Sequence, residues 1–382
     1  MPELNLTSAG FDYHYVGRPD RNIKGGIKKV TSKLDDVEEH RMCQIDSGRL
    51  GEIDRAIEEC NKAIKLDSND ATVYNNRGVA HGEKGDIDRA IEDFSKAIDL
   101  WSNYDHAYYN RGLAYGQKGD VEHAIKDFTK VIQLKPDNAD VHNNRGVAYN
   151  IKGDVDHAIE DFNTAIRLKP DNANTYYNRG LAYGQKGDVD RAIKDFGQVI
   201  KLKPDDAEAY NNRGAAYARK GDIDCAIKDF TKAIEYKTNE VQIYNNRGMA
   251  YGERGKYNLA IEDFTKAINL QSSDATAYYF RGYMWLHLGE WKKAKADLTT
   301  AKNMGVDIIA SFHRSYPSVA DFKQKNSVKL PDDIVAMLTP KAEFMQEAKA
   351  QATAHPVEPE VEIAIKNIKK KYDRAWKTLA NL

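Results

Sequence analysis

One tripeptide recurs along this chain at a fixed interval of 34 residues. Six copies are complete: Asn76-Arg77-Gly78, Asn110-Arg111-Gly112, Asn144-Arg145-Gly146, Asn178-Arg179-Gly180, Asn212-Arg213-Gly214 and Asn246-Arg247-Gly248. A seventh keeps only Arg281-Gly282, with Phe280 in place of asparagine. A period of this size, held without any insertion, predicts stacked supersecondary units, because each unit buries its apolar faces only against its neighbours.

Each unit carries the signals of two helices joined by a tight turn. In the unit from 105 to 138, Asp105 to Lys118 predicts a first helix, and Gly119 suits a left-handed helix end. Asp120 is a good N-cap for a second helix, whose apolar residues recur at i, i+3, i+4 and i+7. The pattern therefore predicts an all-α chain of helix-turn-helix units.

Counting from the recurring glycine as the eighth position of a unit gives eight units over 37–308. The first is degenerate, with Gln44 in the glycine position. Residues 1–36 form an arm that is rich in aromatic and basic side chains and in glycine, which disfavours a long helix. The arm is either flexible or loosely docked, or it binds a partner or folds back onto the repeats.

Residues 309–382 are expected to form a helical extension. Residues 311–317 read as a linker, and 318–325 and 332–338 as short helices. Longer helices are expected over 340–354 and 359–380, the last with an apolar stripe opposite its lysines. That stripe either caps the last repeat or docks a partner or a second copy.

Charge and composition exclude several function classes. Lys+Arg 57 nearly balances Asp+Glu 58, so the chain has no general attraction for nucleic acid or anionic membranes. No apolar run reaches the roughly 20 residues that span a bilayer, and the start lacks a secretory signal. The three cysteines are too few and scattered for a zinc site. We find no nucleophile motif and no phosphate-binding loop, and therefore expect a cytoplasmic protein that is not an enzyme and needs no cofactor.

The spacing of large and small residues resembles the tetratricopeptide repeat family. The unit from 139 has the residues of that pattern in place, with His142 in the first aromatic position: Gly146, Tyr149, Ala158, Phe162, Ala165 and Pro170. Departures are mild, such as Ser102, Thr238 and Ser272 in place of the proline. The resemblance implies a right-handed superhelical solenoid whose first helices line a concave groove.

The seventh-position arginines each have an aspartate sixteen residues later: Asp93, Asp127, Asp161, Asp195, Asp229, Asp263 and Asp297. We expect a bidentate ion pair between the two helices of each unit. The alternative is a row of charges for a ligand, but such a row has no reason to bring its own counter-ions.

The sixth position is asparagine in six successive units: Asn76, Asn110, Asn144, Asn178, Asn212 and Asn246. An amide both donates and accepts, so such a row can bind the backbone of an extended peptide. It resembles the asparagine ladder of some long tetratricopeptide superhelices. The alternative is that these amides brace neighbouring first helices.

The fifth position holds side chains that suit a recognition surface: Asn75, Tyr109, Asn143, Tyr177, Asn211, Asn245 and Tyr279. The lysines of the family's carboxylate clamp are missing, which argues against a receptor for acidic chaperone tails. Basic residues for RNA phosphates are missing too.

We therefore expect a protein–protein interaction scaffold or adaptor that binds an extended peptide in the groove through these thirteen side chains. Two alternatives stay open. The chain is a self-assembling structural protein whose arm or tail docks on another copy, or it is the regulatory subunit of an enzyme encoded elsewhere.

Overall fold

The computed structural model describes residues 50–340. Within that range all regular structure is helical. The helices are α1 (Leu50–Leu66), α2 (Ala71–Lys84), α3 (Ile87–Leu100), α4 (Asp105–Lys118), α5 (Val121–Leu134), α6 (Ala139–Lys152), α7 (Val155–Leu168), α8 (Ala173–Lys186), α9 (Val189–Leu202), α10 (Ala207–Lys220), α11 (Ile223–Tyr236), α12 (Val241–Glu253), α13 (Tyr257–Leu270), α14 (Ala275–His287), α15 (Trp291–Asn303), α16 (Ile308–His313), α17 (Val319–Asn326) and α18 (Asp332–Leu338).

The helices come in consecutive pairs, as the repeats predict, and they divide between two compact units. Of the described residues, 50–204 form the N-terminal unit and 205–340 the C-terminal unit. In the N-terminal unit, α2, α4, α6 and α8 are first helices, and each packs on the second helix that follows it. In the C-terminal unit, α10, α12 and α14 are first helices and pack on α11, α13 and α15. Helix α1 takes the place of the second helix of the degenerate repeat, and the first helix expected for that repeat falls outside the described residues.

The turn inside each repeat follows the sequence signals. Gly119 has a φ of 81°, which a side chain would strain, and its N–H donates to the Gly116 carbonyl at 3.0 Å. The Asp120 side chain then accepts from the His123 N–H and caps α5. Gly51, its counterpart in the degenerate repeat, differs because it lies inside α1.

The recurring eighth-position glycine lets the two helices of a repeat touch. A Cβ at Gly146 would lie 2.7 Å from Cε1 of Phe162, and the other repeats with this phenylalanine show the same close approach. The Phe162 ring is fully buried. Glycine is needed at this position because the phenyl ring packs directly on the backbone of the first helix and leaves no room for a Cβ.

The last repeat is covered by the three short helices that follow it. Phe312, Phe322 and Ile334 are buried in one cluster with Leu286 and Leu298 of the repeat. The short helices expected over 318–325 and 332–338 are confirmed as α17 and α18. The linker expected over 311–317 is partly wrong, because Phe312 and Ile308 bury their side chains and extend α16 to His313.

Several expectations fall outside the described residues. The helices expected over 340–354 and 359–380 fall beyond the described range, and so does the arm expected over 1–36. The boundaries at 36/37 and 308/309 stay predictions.

Candidate functional site

The predicted ion pairs are confirmed in all seven repeats from 71 onward. In one of them, Arg111 Nε donates to Asp127 Oδ2 at 2.7 Å and Arg111 Nη2 donates to Oδ1 at 2.9 Å. The same bidentate geometry joins Arg77–Asp93, Arg145–Asp161, Arg179–Asp195, Arg213–Asp229, Arg247–Asp263 and Arg281–Asp297. Each pair joins the first and second helices of one repeat.

A further bond, which the sequence analysis missed, joins the arginine to the preceding repeat. Arg111 Nη1 donates to Ser95 Oγ at 3.0 Å, sixteen residues earlier. The equivalent acceptors are Asn61, Thr129 and Asn163 in the N-terminal unit, and Thr231 and Thr265 in the C-terminal unit. In most units the residue sixteen positions before the arginine is small and polar, and this pattern in the sequence could have indicated the bond. The guanidinium is thus engaged within the fold, which disfavours a charged ladder for a ligand.

Aromatic side chains complete the surroundings of these arginines. The Arg179 guanidinium carbon lies 5.6 Å from the Tyr176 ring centroid and 5.7 Å from that of Tyr183. The two tyrosines sit one helical turn before and after the arginine on α8, so all three share one face. That face is directed at α9 and serves stability.

In two of these pairs the pKa of the aspartate is shifted in opposite directions. Burial outweighs the hydrogen bonds from Arg111 and raises the pKa of Asp127. Asp161 is also buried, but hydrogen bonds from Arg145 and His142 outweigh that effect and lower its pKa. His142, which takes the place of tyrosine, has Nδ1 3.2 Å from Asp161 Oδ1 and Nε2 3.0 Å from the Pro136 carbonyl oxygen.

The sixth-position amides lie between successive first helices and are buried. In the N-terminal unit Nδ2 of three of them donates to the fifth-position side chain of the preceding repeat. Asn110 donates to Asn75 Oδ1 at 2.9 Å, Asn144 to the Tyr109 hydroxyl at 3.0 Å, and Asn178 to Asn143 Oδ1 at 3.1 Å.

The C-terminal unit repeats this arrangement once. Asn246 Nδ2 donates to Asn211 Oδ1 at 3.0 Å, and Asn246 Oδ1 accepts from Gln242 Nε2 at 3.0 Å. In the last repeat Phe280 takes the amide position and stacks on Phe264 at 5.8 Å. The amides thus brace neighbouring first helices, the alternative that the sequence left open. Asn76 and Asn212 are buried members of the same row. Peptide binding by the row stays a prediction.

The fifth-position side chains are buried or half-buried along the same helices. Tyr177 packs its ring edge-on against Phe196, 5.7 Å between centroids, and burial raises the pKa of Tyr279. Within residues 50–340, two amide atoms of this row are buried without a hydrogen-bond partner, Asn75 Nδ2 and Asn245 Oδ1. A buried polar atom without a partner costs stability.

Other chemistry is not supported by the part of the chain that the structure describes. Between residues 50 and 340, no group of three histidine, cysteine, aspartate or glutamate side chains is placed to hold a metal ion. No helix in that range has the length and apolar character needed to cross a membrane.

Family models for repeats of this kind match most of the repeat array. A model described as "TPR repeat" matches residues 49–85, 83–119, 148–187 and 182–221. Two models described as "Tetratricopeptide repeat" match residues 106–138 and 241–274, and residues 207–240.

The chain is similar to several solved structures over part of its length. MamA protein is 31% identical over 45% of this chain and 94% of its own, with a TM-score of 0.43. YrrB, described as a TPR protein with an unusual peptide-binding site, is 26% identical over 49% of this chain and 97% of its own, with a TM-score of 0.44. A tetratricopeptide repeat protein from Parabacteroides merdae is 18% identical over 65% of this chain and 99% of its own, with a TM-score of 0.49. A comparison with curated proteins gave no match.

Proposed function

We propose that this chain, which belongs to the tetratricopeptide repeat family, is a non-catalytic adaptor that binds an extended segment of a partner protein along its first helices. Repeats of this family generally mediate protein–protein interactions. The cytoplasmic location expected from the sequence is part of the same proposal.

The observation that carries the proposal is the row of amides between first helices, with buried atoms that lack a partner. Asn75 Oδ1 accepts a hydrogen bond from Asn110 Nδ2, and Asn75 Nδ2 has no partner among residues 50–340. An extended peptide offers a carbonyl and an N–H at every residue, so it can satisfy such atoms whatever its side chains are.

The proposed contacts are the fifth- and sixth-position side chains. In each amide pair one donor and one acceptor are used between helices, as between Asn178 and Asn143. A primary amide has two N–H groups and an oxygen with two lone pairs, so capacity for a peptide remains. Tyr109 and Tyr177 are proposed to contact side chains of the peptide, because tyrosine gives a large contact area at low entropic cost.

A backbone-directed site predicts a particular pattern of peptide recognition. The test selects binders to the full chain from a displayed library of random 12-residue peptides, and measures affinity for one selected peptide and its variants. N-methylation of a single central peptide amide is expected to weaken binding about tenfold, whereas alanine at most positions has a smaller effect. Affinity that depends on peptide side chains alone, and tolerates every N-methyl group, would contradict the proposal.

A further inference from the structure

One pair of rings in the C-terminal unit departs from the repeat pattern. Position thirteen is histidine only in the last repeat, at His287, whereas the other full repeats have Glu83, Gln117, Ile151, Gln185, Arg219 and Glu253. Position seventeen is Tyr257 one repeat earlier, whereas the five preceding full repeats have Ile87, Val121, Val155, Val189 and Ile223. The rings of Tyr257 and His287 stack, with 4.5 Å between their centroids. This stack joins α13 to the end of α14.

The three short helices that cover the last repeat, α16, α17 and α18, are called the cap here, and they reach His287. Phe322 of α17 packs edge-on against the imidazole, with 5.1 Å between centroids. Tyr316, in the segment before α17, lies at 6.5 Å. On α14 itself, Tyr283 lies edge-on at 5.0 Å. The imidazole is therefore the point at which α13, α14 and the cap meet.

The hydrogen bonds of Asn326 determine which nitrogen of His287 carries the proton. Asn326 Nδ2 donates to the Phe322 carbonyl oxygen at 2.9 Å and to the Tyr316 hydroxyl at 3.2 Å. A carbonyl oxygen only accepts, so the amide nitrogen must face it and Oδ1 is left for the histidine. His287 Nδ1 lies 3.0 Å from that oxygen and donates to it. The neutral ring thus carries its proton on Nδ1, and Nε2 has no hydrogen-bond partner among residues 50–340.

The surroundings of the imidazole favour its neutral form. Burial lowers the pKa of His287, and the hydrogen bond to Asn326 opposes this effect only in part. Tyr257 and Tyr283 stay uncharged at neutral pH, because burial raises the pKa of both. The face of the Tyr257 ring attracts a cation and offsets some of the cost of burying one.

Charged groups on the neighbouring elements do not stabilise a protonated ring. Glu253, at the same position of α12, forms no ion pair with His287, and Glu290 before α15 pairs with Lys293. On the cap, Lys325 Nζ lies 5.5 Å from the Tyr316 ring centroid and adds a further positive charge. A proton on Nε2 would therefore have neither an acceptor nor a counter-ion among residues 50–340.

We propose that His287 is a pH-sensitive latch: its neutral ring holds the cap on the last repeat, and protonation of the ring releases the cap. Separation of α17 from α13 and α14 lets water reach Nε2. The folded-state pKa lies below that of a free histidine, about 6.5, so the stabilisation is complete above that value and is lost as the pH falls through the folded-state pKa. Release uncovers Leu286 and Leu298, which are buried in one cluster with the cap.

His313 is the other histidine of the C-terminal unit within residues 205–340, and it provides a control. It lies at the end of α16, with Nδ1 3.0 Å from the Pro317 carbonyl oxygen and Nε2 3.1 Å from that of Leu338. Both partners are acceptors, so a proton gained by His313 can be donated to one of them. Protonation of His313 therefore does not detach the cap.

Hydrogen exchange of the full chain, followed by mass spectrometry, measures opening of the cap. The protection of α17 and α18, corrected for the intrinsic exchange rate at each pH, is compared with that of α11 at about pH 7.5 and about pH 5.5. In the natural chain the cap is expected to lose about threefold or more of its protection at the lower pH. His287→Gln introduces the uncharged residue found at Gln117 and Gln185, and is expected to abolish this loss. The control His313→Gln is expected to keep it.

Three exchange results would overturn the inference: equal cap protection of the natural chain at both pH values, a loss of the same size in His287→Gln, or no loss in His313→Gln. If His287→Gln leaves the cap open at both pH values, NMR of the histidine rings in the natural chain decides. The inference requires the Nδ1–H tautomer of His287 at about pH 7.5, and a titration of the ring that coincides with the loss of cap protection. The Nε2–H tautomer, or a titration without that loss, would refute it.

Discussion

The arginine of each first helix makes the same ion pair in all seven repeats, whereas the contact of the fifth-position residue differs among repeats. Arg111 binds Asp127 and Ser95, and five of its counterparts bind the same two positions. In contrast Asn75 accepts from an asparagine, Tyr109 accepts through its hydroxyl, and Asn245 donates to Asp274. Both sets belong to the same helices.

We propose a division of labour between two sides of a first helix: a recurring side, which carries the arginine and the eighth-position glycine, and a variable side, which carries the fifth-position residue. Contacts that recur unchanged stabilise the array, because each repeat must match the one before it. Positions that vary within the same framework are free to set what the surface binds. Substitutions on the first side are therefore expected to change stability, and those on the second to change binding.

The largest effect is expected for Phe162→Ala, on the recurring side. The ring is fully buried and packs on the backbone at Gly146. Its loss leaves a cavity and is expected to lower the free energy of unfolding by about 3–5 kcal/mol. Denaturant unfolding followed by circular dichroism measures this, and a loss below about 1 kcal/mol would show that the glycine–phenyl contact is not what holds the two helices together.

Arg111→Met is expected to lower the free energy of unfolding by about 2–3 kcal/mol, because it leaves Asp127 buried and without its ion pair. The double change Arg111→Met with Asp127→Leu is the sharper test. Removing both charges together is expected to be less destabilising than removing the arginine alone. If the double variant is the less stable of the two, the unpaired Asp127 carboxylate is not what makes the single change costly, and this account of it is wrong.

The contact between Tyr109 and Asn144 lies on the variable side and is expected to contribute less to the free energy of unfolding. Tyr109→Phe removes the hydroxyl that accepts from Asn144 Nδ2. A double-mutant cycle of Tyr109→Phe with Asn144→Ala is expected to give a coupling energy of about 1 kcal/mol. A coupling near zero would mean that the amide row does not brace the first helices.

His142→Tyr is expected to have the smallest effect, which is a change in the pKa of Asp161. It gives this repeat the tyrosine found at Tyr108, and it is expected to raise the pKa of Asp161 by removing a hydrogen bond to the carboxylate. In the natural chain the lowered pKa means that the Asp161 carboxylate stabilises the fold above about pH 4, and that this contribution is lost as the pH falls through the folded-state pKa. Carbon-13 NMR titration of the carboxyl groups measures the shift, with Asp127 as the control that stays unchanged.

Much of the fold follows from the sequence, because a strict period fixes which residues are equivalent. The spacing of sixteen residues was enough to predict the bond of Arg111 to Asp127, since both lie within one repeat. The bond of Asn110 to Asn75 was left as an alternative, because contacts between repeats depend on how closely first helices approach. The extension of α16 to His313 was missed, because the burial of Phe312 depends on the last repeat and not on local pattern.

The binding of a selected peptide to paired asparagine variants tests the central claim most directly. Asn75→Ala and Asn245→Ala change the variable side, and Asn163→Ala changes an asparagine that accepts from Arg179 on the recurring side. With folding confirmed by unfolding curves, the first two are expected to weaken a library-selected peptide at least about fivefold, and the third to leave its affinity unchanged. Equal affinity for all three variants and the natural chain would contradict the claim that the fifth-position amides bind the peptide.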